Sequence, residues 1–155
     1  MKVTLVVIGK TDSEYLQKGI DEYTKRVNRY VNFEMKIIPV NKGRTNDDVA
    51  EKEILKLFSA TGQGKEILLL DENGKQPTSI EFSTLLEKKM VAGLKELIFI
   101  TGGPYGFSEE IHNQAGNNKL SLSKMTFSHQ MVRILFLEQL YRAFTILKGE
   151  PYHHI

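Results

Sequence analysis

Apolar runs of strand length alternate with segments of helical periodicity along this chain, and that order constrains the fold more than any other feature. The strand candidates are VTLVVIG (3–9), FEMKIIPV (33–40), EILLL (66–70), ELIFI (96–100) and a short run at 119–122. Strands and helices that alternate in this way form a mostly parallel sheet, because each helix returns the chain to begin the next strand in the same direction. The expected fold class is α/β, with helices on both faces of the sheet.

The segments between the strands carry the signals of helices. Between residues 12 and 30, apolar side chains recur every three or four positions, which places them on one helix face. Thr78 and Glu81 have the spacing of a capping box, and Ser108 is placed to cap a short helix. The expected helices are 12–30, 45–60, 78–93, 108–115 and 128–148, the last capped by Ser128, and a turn is expected at 71–74.

The chain has the size and composition of one globular domain. It has 155 residues, 41% of them hydrophobic and 26% charged, and a single core usually takes about 100–200 residues. We therefore expect one domain over 1–155. The absence of cysteine excludes disulfides, thiolate metal sites and cysteine nucleophiles, and we expect no bound metal. No run approaches the ~20 apolar residues of a membrane span, so we expect a cytoplasmic protein with no membrane partner.

The last helix is unusually apolar. Twelve of the seventeen residues from 131 to 147 are apolar or aromatic, and they lie all round the helix. Such a helix must be covered on both sides. We expect the sheet to cover one side and a second copy of the chain to cover the other, which gives a homodimer packed through 128–148. A central core helix in a monomer is the alternative.

The carboxyl ends of parallel strands are where ligands bind in such sheets. This rule selects three loops, at 71–77, 101–108 and 121–128. In ITGGPYG (100–106), three glycines allow the main chain to approach a ligand closely and to donate its N–H groups. They are Gly102, Gly103 and Gly106. The loop has no nucleotide-hydrolysis motif, and a plain tight turn is the other interpretation.

Two further segments carry candidate chemistry. In LSLSKMTFSHQ (120–130), His129 lies next to the ligand edge, and Leu122 and Phe127 are either pocket walls or core. In the tail GEPYHHI (149–155), Gly149 ends the last helix. The Tyr-His pair that follows either frays or stacks on a base and moves protons.

Charge is distributed unevenly along the chain although the net charge is only +2. Residues 1–44 carry +4, residues 45–110 carry −5 and residues 111–155 carry +3. If the two basic ends meet in space, they form a modest positive face suited to a phosphate backbone. Candidate phosphate contacts are Lys25, Arg26, Arg29, Lys42 and Arg44. The alternative is an ordinary solvated helix face.

Taken together, these segments resemble one known family over the whole chain. The resemblance is carried by VVIGK, LLLDENGK (68–75), ITGGPYG (100–106) and, most specifically, LSLSKMTFSHQMVRILFLEQLYRAFTILKGEPYHH (120–154). The family is that of the bacterial 23S rRNA pseudouridine N3-methyltransferases, small members of the SPOUT class of knotted methyltransferases. The resemblance implies a C-terminal trefoil knot, which the residue patterns do not predict.

The resemblance also implies where the cofactor, S-adenosylmethionine, binds. It places the cofactor in a cleft formed by the same three loops that the strand-end rule selects. The implied contacts are Leu70, Gly102, Leu122, Ser123, Lys124, Met125, Thr126 and Phe127, to which we add Gly103 and Gly106 from the glycine loop.

The resemblance implies methyl transfer to N3 of a pseudouridine in the helix 69 stem-loop of 23S rRNA, on the assembled 70S ribosome. His129, Tyr152 and His153 are candidate bases, and Arg142 is a candidate charge partner for the developing anion or a nearby phosphate. The tail is expected to act across the dimer. Two alternatives stay open: the same chemistry on another RNA such as tRNA, and a non-catalytic ribosome-binding factor.

Overall fold

The structure is a computed structural model that describes residues 1–40 and 47–154. Its strands are β1 Lys2–Ile8, β2 Asn32–Ile38, β3 Lys65–Lys75, β4 Glu96–Thr101 and β5 Lys119–Leu120. Its helices are α1 Glu14–Val27, α2 Asp47–Ser59, α3 Ser79–Val91, α4 Glu109–Ala115 and α5 Met131–Leu147. The strands pair in parallel in the order β2-β1-β4-β3-β5. The predicted α/β fold class is confirmed.

The central strands are apolar on both faces because helices cover both. Leu5 of β1 and Phe99 of β4 pack in the layer that contains α1, α3 and α5, whereas Val6 and Ile100 pack in the layer that contains α2 and α4. Successive residues of a strand point to opposite faces of the sheet. Residues 3–7 of β1 and 97–101 of β4 are therefore all buried.

The two helix caps predicted from spacing are both present. Thr78 Oγ1 accepts a hydrogen bond from Glu81 N at 3.1 Å, and Glu81 Oε2 accepts one from Thr78 N at 2.7 Å, which completes the capping box. Ser108 Oγ accepts from Ile111 N at 3.3 Å at the start of α4. These caps fix where α3 and α4 leave the loops that precede them.

The path of the chain after Leu70 differs from the predicted turn at 71–74. β3 continues to Lys75, and both Leu70 and Lys75 lie opposite Leu120 of β5, so the four residues between them bulge out of the ladder. The Asp-Glu-Asn-Gly composition is typical of a turn. These residues nevertheless remain part of β3, because Ser121 N donates a hydrogen bond to the Lys75 carbonyl at 2.8 Å and so keeps the chain in the sheet.

The last helix begins later and is better covered than predicted. α5 begins at Met131, and Ser128 Oγ accepts a hydrogen bond from Met131 N at 3.0 Å from the turn that precedes it. α5 packs against α1 and α3, and Phe136, Leu137 and Leu140 are fully buried. The single chain thus covers most of this helix, so its apolar surface does not by itself require a second copy. The homodimer stays a prediction.

Candidate functional site

A cavity of about 530 Å³ opens at the carboxyl edge of the sheet, where β3 bulges and β4 and β5 end. Three loops enclose it: the β3 bulge, the glycine loop that follows β4, and the third loop, residues 121–129. All the predicted cofactor contacts except Lys124 line it, namely Leu70, Gly102, Gly103, Gly106, Leu122, Ser123, Met125, Thr126 and Phe127. The structure therefore brings together residues that lie up to 57 positions apart in sequence.

The glycine loop is folded tightly on itself. Gly106 N donates to the Gly103 carbonyl at 3.1 Å, and Gly106 has a φ of +74°, a conformation that L side chains rarely adopt. A Cβ added to Gly102 would lie 3.1 Å from Gly106 Cα. The glycine loop is thus a tight turn whose main chain lines the cavity, and its binding of a ligand stays a prediction.

The third loop is shaped by its own hydroxyl groups. Ser121 Oγ donates to the Ser123 carbonyl at 2.8 Å, and Ser123 Oγ accepts from Met125 N at 2.9 Å. Thr126 Oγ1 donates to Glu72 Oε2 at 2.9 Å, which joins the third loop to the β3 bulge. The crowding of hydroxyl residues in this segment therefore has a local structural cause.

The walls of the cavity combine main-chain groups with apolar side chains. Met125 and Phe127 are 76% and 36% exposed, so their apolar surface is available to a ligand. Apolar side chains with a few polar groups can hold a flat ring in place. The carboxylates of Asp71 and Glu72 also line the cavity. Their charge favours a cationic ligand over a polyphosphate.

The start of α5 forms part of the same cavity. His129 lines it from the turn that precedes the helix, whereas the sequence had placed His129 in the first helical turn. Its carbonyl accepts a hydrogen bond from Arg133 Nε at 3.3 Å. Arg133 is only 1% exposed and donates to the carbonyls of Ile8 and Gly9 at 2.8 and 2.9 Å. Burial lowers the pKa of Arg133. This side chain fastens the cavity wall to the end of β1.

A second group of candidate residues comes together around Glu138, near the other end of α5. Glu138 Oε1 accepts hydrogen bonds from Arg142 Nη2 at 2.5 Å and from the Tyr152 hydroxyl at 2.9 Å. Arg142 Nη1 lies 3.2 Å from His153 Nδ1, and the guanidinium lies 4.8 Å from the centre of the Tyr152 ring. We call Glu138, Arg142, Tyr152 and His153 the tail cluster.

The tail cluster is half-buried, with the side chains of Arg142 and Glu138 24% and 21% exposed. The hydrogen bond to Glu138 raises the pKa of Arg142. Burial raises the pKa of Tyr152, and hydrogen bonds with Tyr23 and Glu138 raise it further. Arg142 therefore stays cationic and Tyr152 stays protonated near neutral pH. A tyrosine that holds its proton this firmly is a poor general base.

The tail cluster does not line the cavity of its own chain. Val132, at the start of α5, lines the cavity, whereas Arg142 is ten residues further along the helix. At a rise of about 1.5 Å per residue, that separation is about 15 Å. The predicted site residues thus form two groups in the single chain: the cavity with His129, and the tail cluster.

Two polar residues at these sites were missed from the sequence, Arg133 and Glu138. Both are charged positions inside an otherwise apolar helix segment, MVRILFLEQL (131–140). A charged residue among buried apolar neighbours needs a partner, and that was the signal available. Arg142 lies four residues after Glu138, but the carbonyls that accept from Arg133 and the tail hydroxyl that reaches Glu138 are distant in sequence, and only the fold identifies them.

The predicted phosphate contacts are partly committed to other interactions. Arg26 donates to Glu22 at 2.7 Å and lies over the Tyr23 ring, whereas Lys25 and Arg29 are exposed. The other two, Lys42 and Arg44, lie outside the described residues.

Two classes of site are not found within the part of the chain that the structure describes. Over residues 1–40 and 47–154, no group of three or more His, Asp or Glu side chains could hold a metal ion. No helix in the same ranges has the length and hydrophobicity to cross a membrane.

Comparison with known proteins identifies close relatives over the full chain. The family model described as "Predicted SPOUT methyltransferase" matches residues 1–153. The protein named Ribosomal RNA large subunit methyltransferase H in Parabacteroides distasonis is 53% identical, with 99% of each chain covered. The proteins of the same name in Flavobacterium johnsoniae and Christiangramia forsetii are each 54% identical, again with 99% of both chains covered.

Proposed function

The chain belongs to the SPOUT methyltransferase family, and from this premise we propose that it methylates N3 of a pseudouridine in the helix 69 stem-loop of 23S rRNA, on the assembled 70S ribosome. The observation that carries the proposal is the cavity at the carboxyl edge of the sheet, lined by residues of three separate loops. The names of the relatives support a large-subunit rRNA substrate. We expect the protein to act in the cytoplasm as a single domain.

The residues of the cavity fit S-adenosylmethionine. The glycine loop offers main-chain groups that line the cavity, and Leu122 and Phe127 offer apolar walls for a flat base. The carboxylates of Asp71 and Glu72 suit a ligand that carries a sulfonium. When bound, this cofactor supplies an electrophilic methyl group, and the electron pair of the broken C–S bond stays on sulfur.

The target nitrogen is an imide N–H, which becomes a nucleophile only when its proton leaves. The protein must therefore align this nitrogen with the methyl group and favour the loss of the proton. Alignment makes the larger contribution to the rate, since positioning alone can remove about 7–11 kcal/mol of the activation barrier. A general base typically adds about 10²–10⁴-fold. His129, which lines the cavity, and His153 are the candidates for handling the proton.

We also propose that two copies of the chain complete each site. The tail cluster lies about 15 Å along α5 from the cavity of its own chain. A second copy packed along 128–148 would bring its Arg142, Tyr152 and His153 to that cavity. In this homodimer the tail of one copy would lie beside the substrate bound at the cavity of the other. In the single chain the tail is too far from the cavity to do so.

Recognition of the substrate is proposed to depend on the shape of the ribosome more than on bulk charge. The net charge is only +2, so the affinity for naked RNA should be modest and should fall steeply with salt. The exposed Lys25 and Arg29 are the proposed phosphate contacts among the described residues.

The test is methyl transfer from labelled S-adenosylmethionine to 70S ribosomes, free 50S subunits and tRNA, followed by mass spectrometry of the labelled RNA. We expect label on 23S rRNA from 70S particles, at N3 of one pseudouridine. Label on tRNA alone would replace this proposal with methylation of another RNA. If calorimetry showed no binding of S-adenosylmethionine, a non-catalytic ribosome-binding factor would be the better description.

A further inference from the structure

Three consecutive hydrogen bonds run through the tail cluster and fix the direction in which each proton points. Arg142 lies between two partners: its Nη2 donates to Glu138 Oε1 at 2.5 Å, and its Nη1 lies 3.2 Å from His153 Nδ1. Tyr152 joins the same Glu138 oxygen at 2.9 Å. Glu138 is thus the common acceptor that holds both Arg142 and Tyr152 in place.

The chemistry of arginine decides the protonation of His153. A guanidinium has N–H donors and no acceptor, so Arg142 Nη1 must donate to His153 Nδ1. That nitrogen then carries a lone pair, and in the neutral ring the proton lies on Nε2. Nε2 is therefore a donor in this arrangement, and Nδ1, the basic nitrogen, is already occupied by Arg142.

Tyr152 is fixed in the same way. An ionised Glu138 accepts and cannot donate, so the hydroxyl of Tyr152 donates to it. The hydroxyl of Tyr23, 3.4 Å away on α1, is then the donor to Tyr152. Nδ1 of His153 therefore has no free lone pair with which to take a proton from a substrate, and the Tyr152 hydroxyl already donates to Glu138 and accepts from Tyr23.

We infer that Glu138 is a positioning residue which, through Arg142, holds His153 with its proton on Nε2, so that His153 donates a hydrogen bond to the substrate and does not remove its proton. The inference rests on the proposed function, in which this tail meets the target base. The hydrogen bond would go to a ring carbonyl next to N3, where negative charge develops when the N3 proton passes to His129 or to water. A donor aimed at developing charge favours ionisation without itself acting as a base.

The groups around His153 are consistent with this assignment. From α5, Arg142 contacts His153 directly and Glu138 contacts Arg142, while Tyr141 packs edge-on against Tyr152 with ring centres 4.7 Å apart. From α1, Tyr23 reaches Tyr152. The carboxylate of this group, Glu138, is already bonded to Arg142 and Tyr152, so Arg142 remains the direct partner of the imidazole.

The protonation of His153 can be measured directly on the full-length protein. Histidine ¹⁵N shifts distinguish the two neutral forms and the cation, and the His153 signal is assigned by its loss in His153→Gln. We expect Nε2–H with unprotonated Nδ1 in the wild type, and a mixture of forms in Glu138→Ala. A wild-type His153 with its proton on Nδ1 would overturn the inference.

The role of His153 is separated by two substitutions at that position. Glutamine can donate an N–H but cannot take a proton near neutral pH, whereas alanine can do neither. In single-turnover transfer to 70S ribosomes, we expect His153→Ala to lose about 10²–10³-fold, as for other donors to developing charge, and His153→Gln to stay within about tenfold of wild type. Equal losses in both variants would identify His153 as the base and overturn the inference.

The role of Glu138 is tested against a matched ion pair elsewhere. Removing a residue that orients a functional group typically costs about 10–100-fold, so we expect that loss in the transfer rate of Glu138→Ala. Glu138→Gln, which keeps an acceptor oxygen, should recover part of the rate. Glu53→Gln removes the partner of Lys56 at 3.2 Å on α2 and should leave the rate unchanged.

Cofactor affinity and wild-type activity separate the two proposals. All Glu138 and His153 variants should bind S-adenosylmethionine as the wild type does, because the proposal assigns the tail to the target base and the cofactor contacts to the three loops of the cavity. A wild-type protein that methylates no ribosomal RNA would refute the proposed function. An active wild type whose rate is unchanged in Glu138→Ala would refute this inference alone.

Discussion

The cavity and the tail cluster are built from different parts of the chain's chemistry. The cavity is shaped by main-chain turns, glycines and apolar walls, and its hydroxyl groups bond mainly to its own loops. The tail cluster is held by ionised side chains that bond to one another. We therefore expect the cavity to select its ligand by shape, and the tail to act through the placement of protons and charge.

The two regions should therefore respond to different kinds of substitution. An added methyl group should damage the loops of the cavity at Gly74 and Gly102, where a Cβ would lie within 3.1 Å of main-chain atoms, and a change of charge there should matter less. In the tail cluster a change of hydrogen bonding should matter more than a change of volume.

The largest effect is expected at Gly74, in the bulge of β3. A Cβ there would lie 2.6 Å from Leu120 N and 2.6 Å from Lys119 C, both main-chain atoms that cannot rotate away. Forcing extra volume into such a site typically costs about 1–3 kcal/mol. We expect Gly74→Ala to lower the free energy of unfolding by that amount, measured by urea denaturation.

Gly103→Ala is the matched control for Gly74→Ala. Neither glycine has a positive φ, and a Cβ on Gly103 would come no closer than 3.8 Å to Ile8 Cδ1, an ordinary contact. Its free energy of unfolding should be close to that of the wild type. A Gly74→Ala protein as stable as the control would show that the cavity is not as rigid as the comparison requires.

A smaller effect is expected at Gly102, and it should appear in binding. A Cβ there would lie 3.1 Å from Gly106 Cα and 3.2 Å from Gly106 C, so the glycine loop must shift by a few tenths of an ångström. We expect Gly102→Ala to weaken S-adenosylmethionine about tenfold by calorimetry, which corresponds to about 1.4 kcal/mol. Asp71→Asn, a change of charge at the same cavity, should weaken it less. The reverse order would mean that charge, not shape, dominates recognition.

The same contrast explains how much could be predicted from the sequence. The sheet, the helices and the three loops of the cavity follow from local patterns, because parallel strands place their loops at one edge whatever the side chains are. Gly102 and Leu122 reach the cavity for that reason alone. The β3 bulge could not be predicted, because Asp71, Asn73 and Gly74 are typical turn residues and only their pairing with β5 keeps them in the sheet.

The tail cluster could not be predicted beyond the resemblance. Glu138 and Arg142 are spaced i, i+4, which is visible in the sequence, but the same spacing joins Glu22 and Arg26 on α1. Only the fold shows that the tail turns back after Gly149 and brings Tyr152 and His153 to the first pair and not to the second. The cover of α5 by α1 and α3 was missed for a similar reason: an apolar helix shows that it is covered, but not by what.

The smallest predicted effect concerns the root of the tail, where the Tyr30 hydroxyl donates to Glu150 Oε2 at 2.6 Å. This bond, with burial, raises the pKa of Tyr30 from its ordinary 10.0 to about 12. A group whose pKa is raised by folding adds stability that is complete below its unfolded pKa and is lost as the pH rises through its folded pKa. The contribution of Tyr30 should therefore be constant below pH 10 and disappear between pH 10 and 12.

Tyr30→Phe removes the hydroxyl but keeps the ring, which stacks on Phe144 with centres 5.9 Å apart. We expect a loss below about 1 kcal/mol at neutral pH, because solvent screens this contact. The difference in unfolding free energy between wild type and variant should shrink to zero from pH 10 to 12, as measured by urea denaturation at each pH. A difference that persists unchanged to pH 12 would mean that the Tyr30 ring, and not the proton on its hydroxyl, holds the tail to α1. The description of the tail as a region held by protons would then not extend to Glu150.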